Sequence, residues 1–552
     1  MHMRPDNATF PEGGTRRVLL AATNMQAFAR LVFDLFPQLA QDPRLDLRFA
    51  VIPGSKFEAA AHRFLLASGL RTIPWSEVQE FAPHLVVSGS PTRELFRTGP
   101  RFGRHVPFMI ITHGAGNNRM RTDLSGVYGL APEQLLGPRP PWAPWRNRPL
   151  VDWLPLAGEA ALRQLARDCA EALPAAEIVG DIGHQRMRDS LKWRDRYRDA
   201  FGVAPSECLV VVCSTWGDLS LVGRGRANLV EQLLGTLPMD EFRVGFIPHP
   251  NIEHGNGPTP AGVFAPQLAN GLIMAPIEDG WRALLIAADV IVGDSGSTTQ
   301  YGAAIGTPVL LAAFGFEQMP ADAPLADFGR GAPRLDLEKP LPQQILDAKD
   351  RGQDFDFGPI LADGQPSERI LAKTYEMLGI PAWEGTAQQR LPDPPTRPEC
   401  RATSAWRFIV HFGPDLATWE RLPVSQAKTD GPLIVRTACT DRRLWAAAEV
   451  LLDHDQHRTP EHAREAAEIL LEEWPRARAA SATTSAGSAV VVLQSGAAFS
   501  LECEPRRLDV VAAALPAWLF QQATETPGLR EVSDPLMDFE RRFEPPPTLR
   551  AL

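Results

Sequence analysis

Strand and helix signals alternate twice along the 552-residue chain, and this alternation restricts the fold more than any other feature. "RRVLLAAT" is a short apolar run, and "MQAFARLVFDLFPQLAQ" has helical spacing. "LDLRFAVIPG" and "KFEAAAHRFLLASG" repeat the pair, and "PHLVVSGS" and "VPFMIITHGAG" add two strands ending in Gly/Ser turns. A parallel connection has to cross over its sheet, so this order predicts a parallel sheet with helices on both faces. A second series starts near residue 205 with "ECLVVVCSTWGD", "ANLVEQLLGTL", "FRVGFIPHPN" and "GWRALLIAA". It continues through "DVIVGDSGS", a helix to Ala304 and "TPVLLAAF". The expected class is α/β, with two doubly wound domains. In such sheets, ligands lie outside the carboxyl ends of the strands.

The expected boundaries follow the composition. Residues 1–200 form the first domain, with "AAEIVGDIGHQRM" as its last strand and loop, and 201–384 form the second. The Pro-rich stretch 385–402 reads as a linker, and 403–552 as a separately folded α+β accessory domain. In that domain Thr459, Pro460 and Glu461 predict a helix start, with a cap, a preset φ and an acid in the first turn. The Ala/Ser/Thr/Gly stretch 479–488 predicts a mobile loop, and His454, His457 and His462 are expected to be exposed.

Composition excludes some functions. A formal net charge of -10 argues against bulk nucleic-acid binding. Six cysteines at 169, 208, 213, 400, 439 and 503 form no CxxC pair, so neither a zinc site nor a dithiol is expected, and no metal is assigned. The polar N-terminus does not read as a secretory signal, and no apolar run is long enough to span a membrane. A cytoplasmic protein is expected, with contact at a membrane surface left open.

Chemistry-bearing residues gather at the predicted strand ends. In "GDSGSTTQYGAAIG", Asp294, Ser295, Gly296, Ser297 and Thr298 stand where a strand becomes a helix. The first N–H groups of a helix have no internal partner and lie at its positive end, so hydroxyls and a glycine there can cradle a diphosphate. The same residues also serve as ordinary caps, with Asp294 or Ser295 as the capping residue. His249 lies between two prolines in "IPHPN" and could donate to a leaving phosphate, or it could be a turn histidine. His113, followed by Gly114, could be a general base or a structural loop histidine. Arg119 and Arg121 could steer an anion, and "CSTWGD" brings Ser214 and Thr215 to the same end. His184 and His254 are weaker candidates.

Taken together, "HG … STWGD … PHP … ADVIVGDSGS … A-x-G-x-P-V" resembles the GT-B glycosyltransferase fold, with its two Rossmann-like domains. Within that fold it resembles the CDP-glycerol glycerophosphotransferases. "DSGS" is also similar to the "DSGG" helix start of UDP-N-acetylglucosamine 2-epimerases. The first resemblance implies His113 as catalytic base, His249 as a phosphate contact, and Ser295 and Ser297 as the donor diphosphate site. It implies a nucleotide-diphosphate donor as co-substrate without a further cofactor, a polymer or protein acceptor, and an oligomer as an option. The sequence departs from the pattern at Ala115, Gly116, Asn117 and Asn118, and Gln300 or Tyr301 stands where many GT-B enzymes bind ribose through Glu. The alternatives are an epimerase-like enzyme and a GT-B module that binds a nucleotide sugar without turnover.

Overall fold

The structure is a computed structural model. It describes residues 14–55, 57–98, 102, 106–112, 114, 119–121, 126–136, 149–223, 228–249, 260–385, 391–393, 403–424, 430–525 and 533–552. Two compact units are present. The first takes Met1–Ala227, Gly245–Val263 and Met274–Pro398, and the second takes Asn228–Val244, Phe264–Ile273 and Glu399–Leu552.

The first sheet contains β1 (Arg16–Ala22), β2 (Leu45–Val51), β3 (Leu85–Ser88) and β4 (Phe108–Ile110) in the order β2-β1-β3-β4, all parallel. Val18 to Ala22 of β1 are fully buried, as a strand covered on both faces requires. The short parallel pair β5 (Leu154–Leu156) and β6 (Ala176–Ile178) adjoins this sheet through a Met109–Trp153 bridge. β6 is the strand read in "AAEIVGDIGHQRM", and the helix Ile182–Ser190 follows it. Asp181 caps that helix by accepting the His184 N–H.

The second sheet contains β7 (Cys208–Cys213), β8 (Phe242–Ile247), β9 (Ile273–Met274), β10 (Val290–Gly293) and β11 (Val309–Leu311), ordered β11-β10-β7-β8-β9. From β7 the chain moves outward through β8 and β9, then returns to the other side of β7 for β10 and β11. The strand order therefore reverses between β7 and β10, and the crevice outside their carboxyl ends is the topological switch point. After this sheet the helix Pro366–Leu378 returns to the first one, where Ile370 and Leu378 share a core with Val18, Leu20 and Phe28. The chain therefore has the two Rossmann-like units that its alternation predicts.

The second unit is built on a mixed sheet, ordered β13-β12-β14-β15-β16-β17-β18-β19. Its strands are β12 (Ala405–Phe412), β13 (Ala417–Pro423), β14 (Leu433–Arg436), β15 (Val450–Asp453), β16 (Ala479–Ser485), β17 (Ser488–Leu493), β18 (Ala498–Glu502) and β19 (Thr548–Ala551). β14, β15 and β16 run parallel and the other pairs antiparallel. The helix Pro460–Glu473 covers one face with Ala463, Ala467 and Leu471, and Leu508–Glu525 covers the other with Val511, Leu515 and Trp518. Thr459 caps the first of these helices, as the sequence predicts.

Two expectations are corrected here. Residues 479–488 are not a loop, because all but Ala486 and Gly487 belong to β16 and β17. Ala479, Ala480 and Ala482 are fully buried between the two helical layers, where small side chains let the helices approach. Gly487, at φ +89°, makes the two-residue hairpin turn. His454 and His462 are exposed, as expected, whereas His457 is half-buried; the Nε2 atoms of His454 and His457 lie 2.9 Å from Asp509 Oδ1 and 2.9 Å from Asp453 Oδ2. Among the described residues, no helix is long and apolar enough to cross a membrane.

Candidate functional site

The switch point carries the stretch singled out at 294–298. β10 ends at Gly293, and the helix Ser297–Ala304 starts four residues later with Gly296 as its N-cap residue and no side-chain cap. Neither Asp294 nor Ser295 therefore caps the helix. Asp294 is fully buried, and its carboxylate accepts the N–H groups of Thr215, Leu221 and Gly296, each at 2.9 Å. Burial pushes its pKa up, and these N–H groups pull against that. Asp294 is thus a bolt that fixes the loop after β7 to the end of β10, not a contact for a phosphate.

The neighbouring residues divide by direction. Thr298 stays half-exposed, beside the buried Cys213 thiol at the end of β7. Gln300 is buried and donates to the Ser295 carbonyl at 3.2 Å, which holds the turn rather than a ribose. Ser214 is buried too, accepting from the Val222 N–H and donating to Thr215 O. Ser295 and Ser297 stay half-exposed. Space at position 296 is tight, because a Cβ there would stand 3.1 Å from Thr215 Cβ and 3.0 Å from Asp294 Oδ1.

The first sheet closes on this helix start from the other side. Gly114, just beyond β4, has φ +94°, and a Cβ on it would stand 2.8 Å from Ser297 Oγ. His113 and His254 lie outside the described residues, as do Ala115 to Asn118. Arg119 is half-buried, with its guanidinium 4.3 Å from the centre of the Trp216 ring. Its segment is fixed by Met120 N–H to Gln318 O at 2.7 Å and Tyr128 N–H to Arg119 O at 2.9 Å. Burial pushes the Arg119 pKa down, and no carboxylate among the described residues offsets this. Trp216 follows Thr215 directly, and its ring lies 6.2 Å from that of His249 and 6.4 Å, edge-on, from Phe57. Gly114, Arg119, Thr215, His249, Ser295, Gly296 and Ser297 are therefore brought together, whereas Asp294, Ser214 and Gln300 point into the scaffold. Among the described residues no three His, Cys, Asp or Glu side chains gather as a metal site.

Sequence reasoning missed Trp216 and Phe57, and it missed a buried ionic network beneath the helix. Asp34 accepts from Arg186 at 3.0 Å and from Arg282 at 2.9 Å, and it lies 3.3 Å from Arg30. Arg30 also pairs with Asp181 at 2.8 Å and donates to the Tyr301 hydroxyl at 2.7 Å. Arg186 pairs with Asp279 at 2.7 Å, and Arg282 pairs with Asp279 as well. Three guanidiniums face three carboxylates, so the charge is balanced. Through Tyr301 the network joins the helix Ser297–Ala304 to the first sheet. Gly183 leaves the room, since a Cβ there would stand 2.6 Å from Arg30 Nη1. His184 is buried on the same helix, and burial lowers its pKa. The signal was present in "MQAFARLVFDLFPQLAQ", where Arg30 and Asp34 occupy helical positions that the pattern reserves for apolar residues.

No family model matches the chain, and no curated protein matches it. Solved structures do. The chain is similar to the wall teichoic acid polymerase TagF, with a TM-score of 0.40 and 13% identity over 66% of this chain and 89% of that one. It is similar to the UDP-GlcNAc 2-epimerase of Neisseria meningitidis, at TM-score 0.36, 13% identity, 66% of this chain and all (100%) of the other. The UDP-GlcNAc 2-epimerase of Methanocaldococcus jannaschii gives TM-score 0.39 and 13% identity over 66% and 100%.

Proposed function

We propose that the chain is a GT-B-type transferase that takes a nucleotide-diphosphate-activated donor and an acceptor hydroxyl. One observation carries this reading: at the switch point, a glycine-tight helix start faces a half-buried guanidinium that has no carboxylate partner among the described residues. A half-buried cation without a counter-charge favours an anionic ligand. The N-terminus of the facing helix favours the same charge.

In this reading Ser295, Ser297 and the helix N–H groups hold the diphosphate, and Arg119 approaches it from the first sheet. His249, beside Trp216, donates to the leaving phosphate. His113 takes the acceptor proton, and Gly114 after it leaves space at the mouth of the cradle. The donor is CDP-glycerol, which gives up glycerol phosphate and releases CMP, or a nucleotide sugar, which gives up its sugar and releases the nucleoside diphosphate; the acceptor is a polymer or a protein, and the charge of the leaving nucleotide phosphate is stabilised by the helix start without a metal or cofactor. The chain works in the cytoplasm or at the inner face of a membrane.

The test is a panel of nucleoside di- and monophosphates read by thermal shift, followed by transfer assays with the stabilising nucleotide's conjugates. The transferase reading expects stabilisation by CDP or UDP and turnover that is lost in His113→Ala with nucleotide affinity retained. Release of an epimerised sugar without an acceptor would move the chain to the epimerase class. Binding without turnover would make it a non-catalytic module, and no stabilisation by any nucleotide would overturn all three.

A further inference from the structure

Trp216 stands in the loop after β7, and side chains from three other segments beyond strand ends meet its ring. Phe57, beyond β2, lies edge-on with 6.4 Å between ring centres, and His249, beyond β8, lies tilted at 6.2 Å. Arg119, beyond β4, carries its guanidinium over the ring face, 4.3 Å from the centre. That is well inside the roughly 6 Å reach of a cation–π interaction. Trp216, Arg119 and His249 are all half-buried, so water screens the contact less than it would at an open surface.

The backbone on either side of this contact is fixed. The Asp294 carboxylate holds the N–H groups of Thr215 and Leu221, which keys the Trp216 loop to the end of β10 and to the helix that follows. The Arg119 segment is tied down by Met120 N–H to Gln318 O at 2.7 Å. Gly217, at φ +90°, lies under the same guanidinium, since a Cβ there would stand 3.8 Å from Arg119 Nη2. A free arginine loses much rotamer freedom when it settles on an anion. One already held on an aromatic face has lost that freedom beforehand, and the anion then binds at lower cost.

We infer that Trp216 is a positioning residue, whose ring holds the Arg119 guanidinium ready for a phosphoryl anion at the start of the helix Ser297–Ala304. This rests on the transferase reading and adds to it the group that orients the cation. Trp216 acts through Arg119, and Phe57 supports the ring from the first sheet.

Calorimetric titration of the full chain with inorganic pyrophosphate, CDP and UDP tests this. Trp216→Leu removes the aromatic face and should weaken pyrophosphate binding about fivefold to tenfold, and Trp216→Phe should recover most of that loss. Cytidine and uridine, which carry no phosphate, should bind all three chains alike. In an Arg119→Gln background, Trp216→Leu should change pyrophosphate affinity by less than about twofold, because the ring has nothing left to position. A readout on the unaltered sequence stands even if Trp216→Leu does not fold. In a chain labelled with 5-fluorotryptophan, the Trp216 fluorine resonance, assigned by its loss in Trp216→Phe, should shift saturably with pyrophosphate. Unchanged pyrophosphate affinity in Trp216→Leu would overturn the inference, and so would tighter binding, which would mean that the ring withholds Arg119 from the anion. Equal losses for nucleoside and pyrophosphate would overturn it as well, by making the ring a packing group only. Binding weakened in Arg119→Gln but not in Trp216→Leu would overturn this inference alone, whereas no binding of pyrophosphate, CDP or UDP by the unaltered chain would overturn it together with the transferase reading.

Discussion

Replacing Asp34 with asparagine tests the buried network beneath the helix Ser297–Ala304. The substitution keeps shape and removes one charge. Asp34 is 1% exposed and touches Arg30, Arg186 and Arg282, which are 4%, 0% and 3% exposed. In Asp34→Asn the three guanidiniums face only Asp181 and Asp279, so one buried positive charge is uncompensated. Losing one partner of a buried ion pair costs about 3–5 kcal/mol, because the remaining ion stays desolvated. At about 2.1 cal/mol/K per residue, a unit of roughly 370 residues loses about 1–1.5 °C per kcal/mol, so a fall of about 5 °C is expected. Urea denaturation followed by circular dichroism is the assay, and the transition of the second unit, which holds none of these residues, is the internal reference. Arg282→Met added to Asp34→Asn restores neutrality and should recover part of the loss, giving a coupling of about 1–3 kcal/mol. Asp34→Asn within about 0.5 kcal/mol of wild type, or losses that simply add, would refute the argument that charge balance holds this helix in place.

Ser295→Ala and Ser297→Ala should weaken binding of a nucleoside diphosphate more than of the nucleoside; equal losses by calorimetry would mean that the stretch is purely structural. Arg119→Gln should lower diphosphate affinity by about tenfold or more with little change in Tm, since a charged hydrogen bond is worth about 1.5–3 kcal/mol, and unchanged affinity would remove Arg119 from the site. Burial raises the pKa of Asp181 and Asp279, but the charges of Arg30 and of Arg282 with Arg186 outweigh it, so both lie below the usual carboxylate range. Their stabilising contribution is therefore complete above the unfolded value of about 3.9 and is lost as pH falls through the lower folded values. The urea midpoint should be flat from pH 6 to 8 and drop below about pH 4, and a drop already at neutral pH would contradict this. Gly114→Ala places a side chain at φ +94° against Ser297 Oγ, so it should cost about 1–3 kcal/mol and weaken diphosphate binding.

Both parallel sheets were legible because their strands are covered on two faces and read as unbroken apolar runs, as in "VLLAA" and "LVVVC". Strand order was not, since β7 could neighbour β8 alone or β8 and β10 with the same sequence. β16 was missed because alanine and serine carry little hydropathy, yet only small residues fit between two close helical layers. At the cradle, the residue types announced an anion site, but direction depends on tertiary contacts. Nothing in "GDSGST" tells that Asp294 faces three amides or that Thr298 lies beside Cys213. Trp216 looked like filler in "CSTWGD" until Arg119, nearly a hundred residues earlier in the chain, was found on its face.

The return of the helix Pro366–Leu378 to the first sheet has a consequence for how the protein is made. Val18 and Leu20 emerge early from the ribosome, but Ile370 and Leu378, which share their core, emerge some 350 residues later. At roughly 5–20 residues per second, that gap is on the order of tens of seconds. The second unit repeats the delay, because Asn228–Val244 has its partners in Glu399–Leu552. For that interval, nascent apolar surface from both units waits uncovered. A chain stalled before residue 366 should therefore recruit holdase chaperones, and one that has emerged past residue 552 should not.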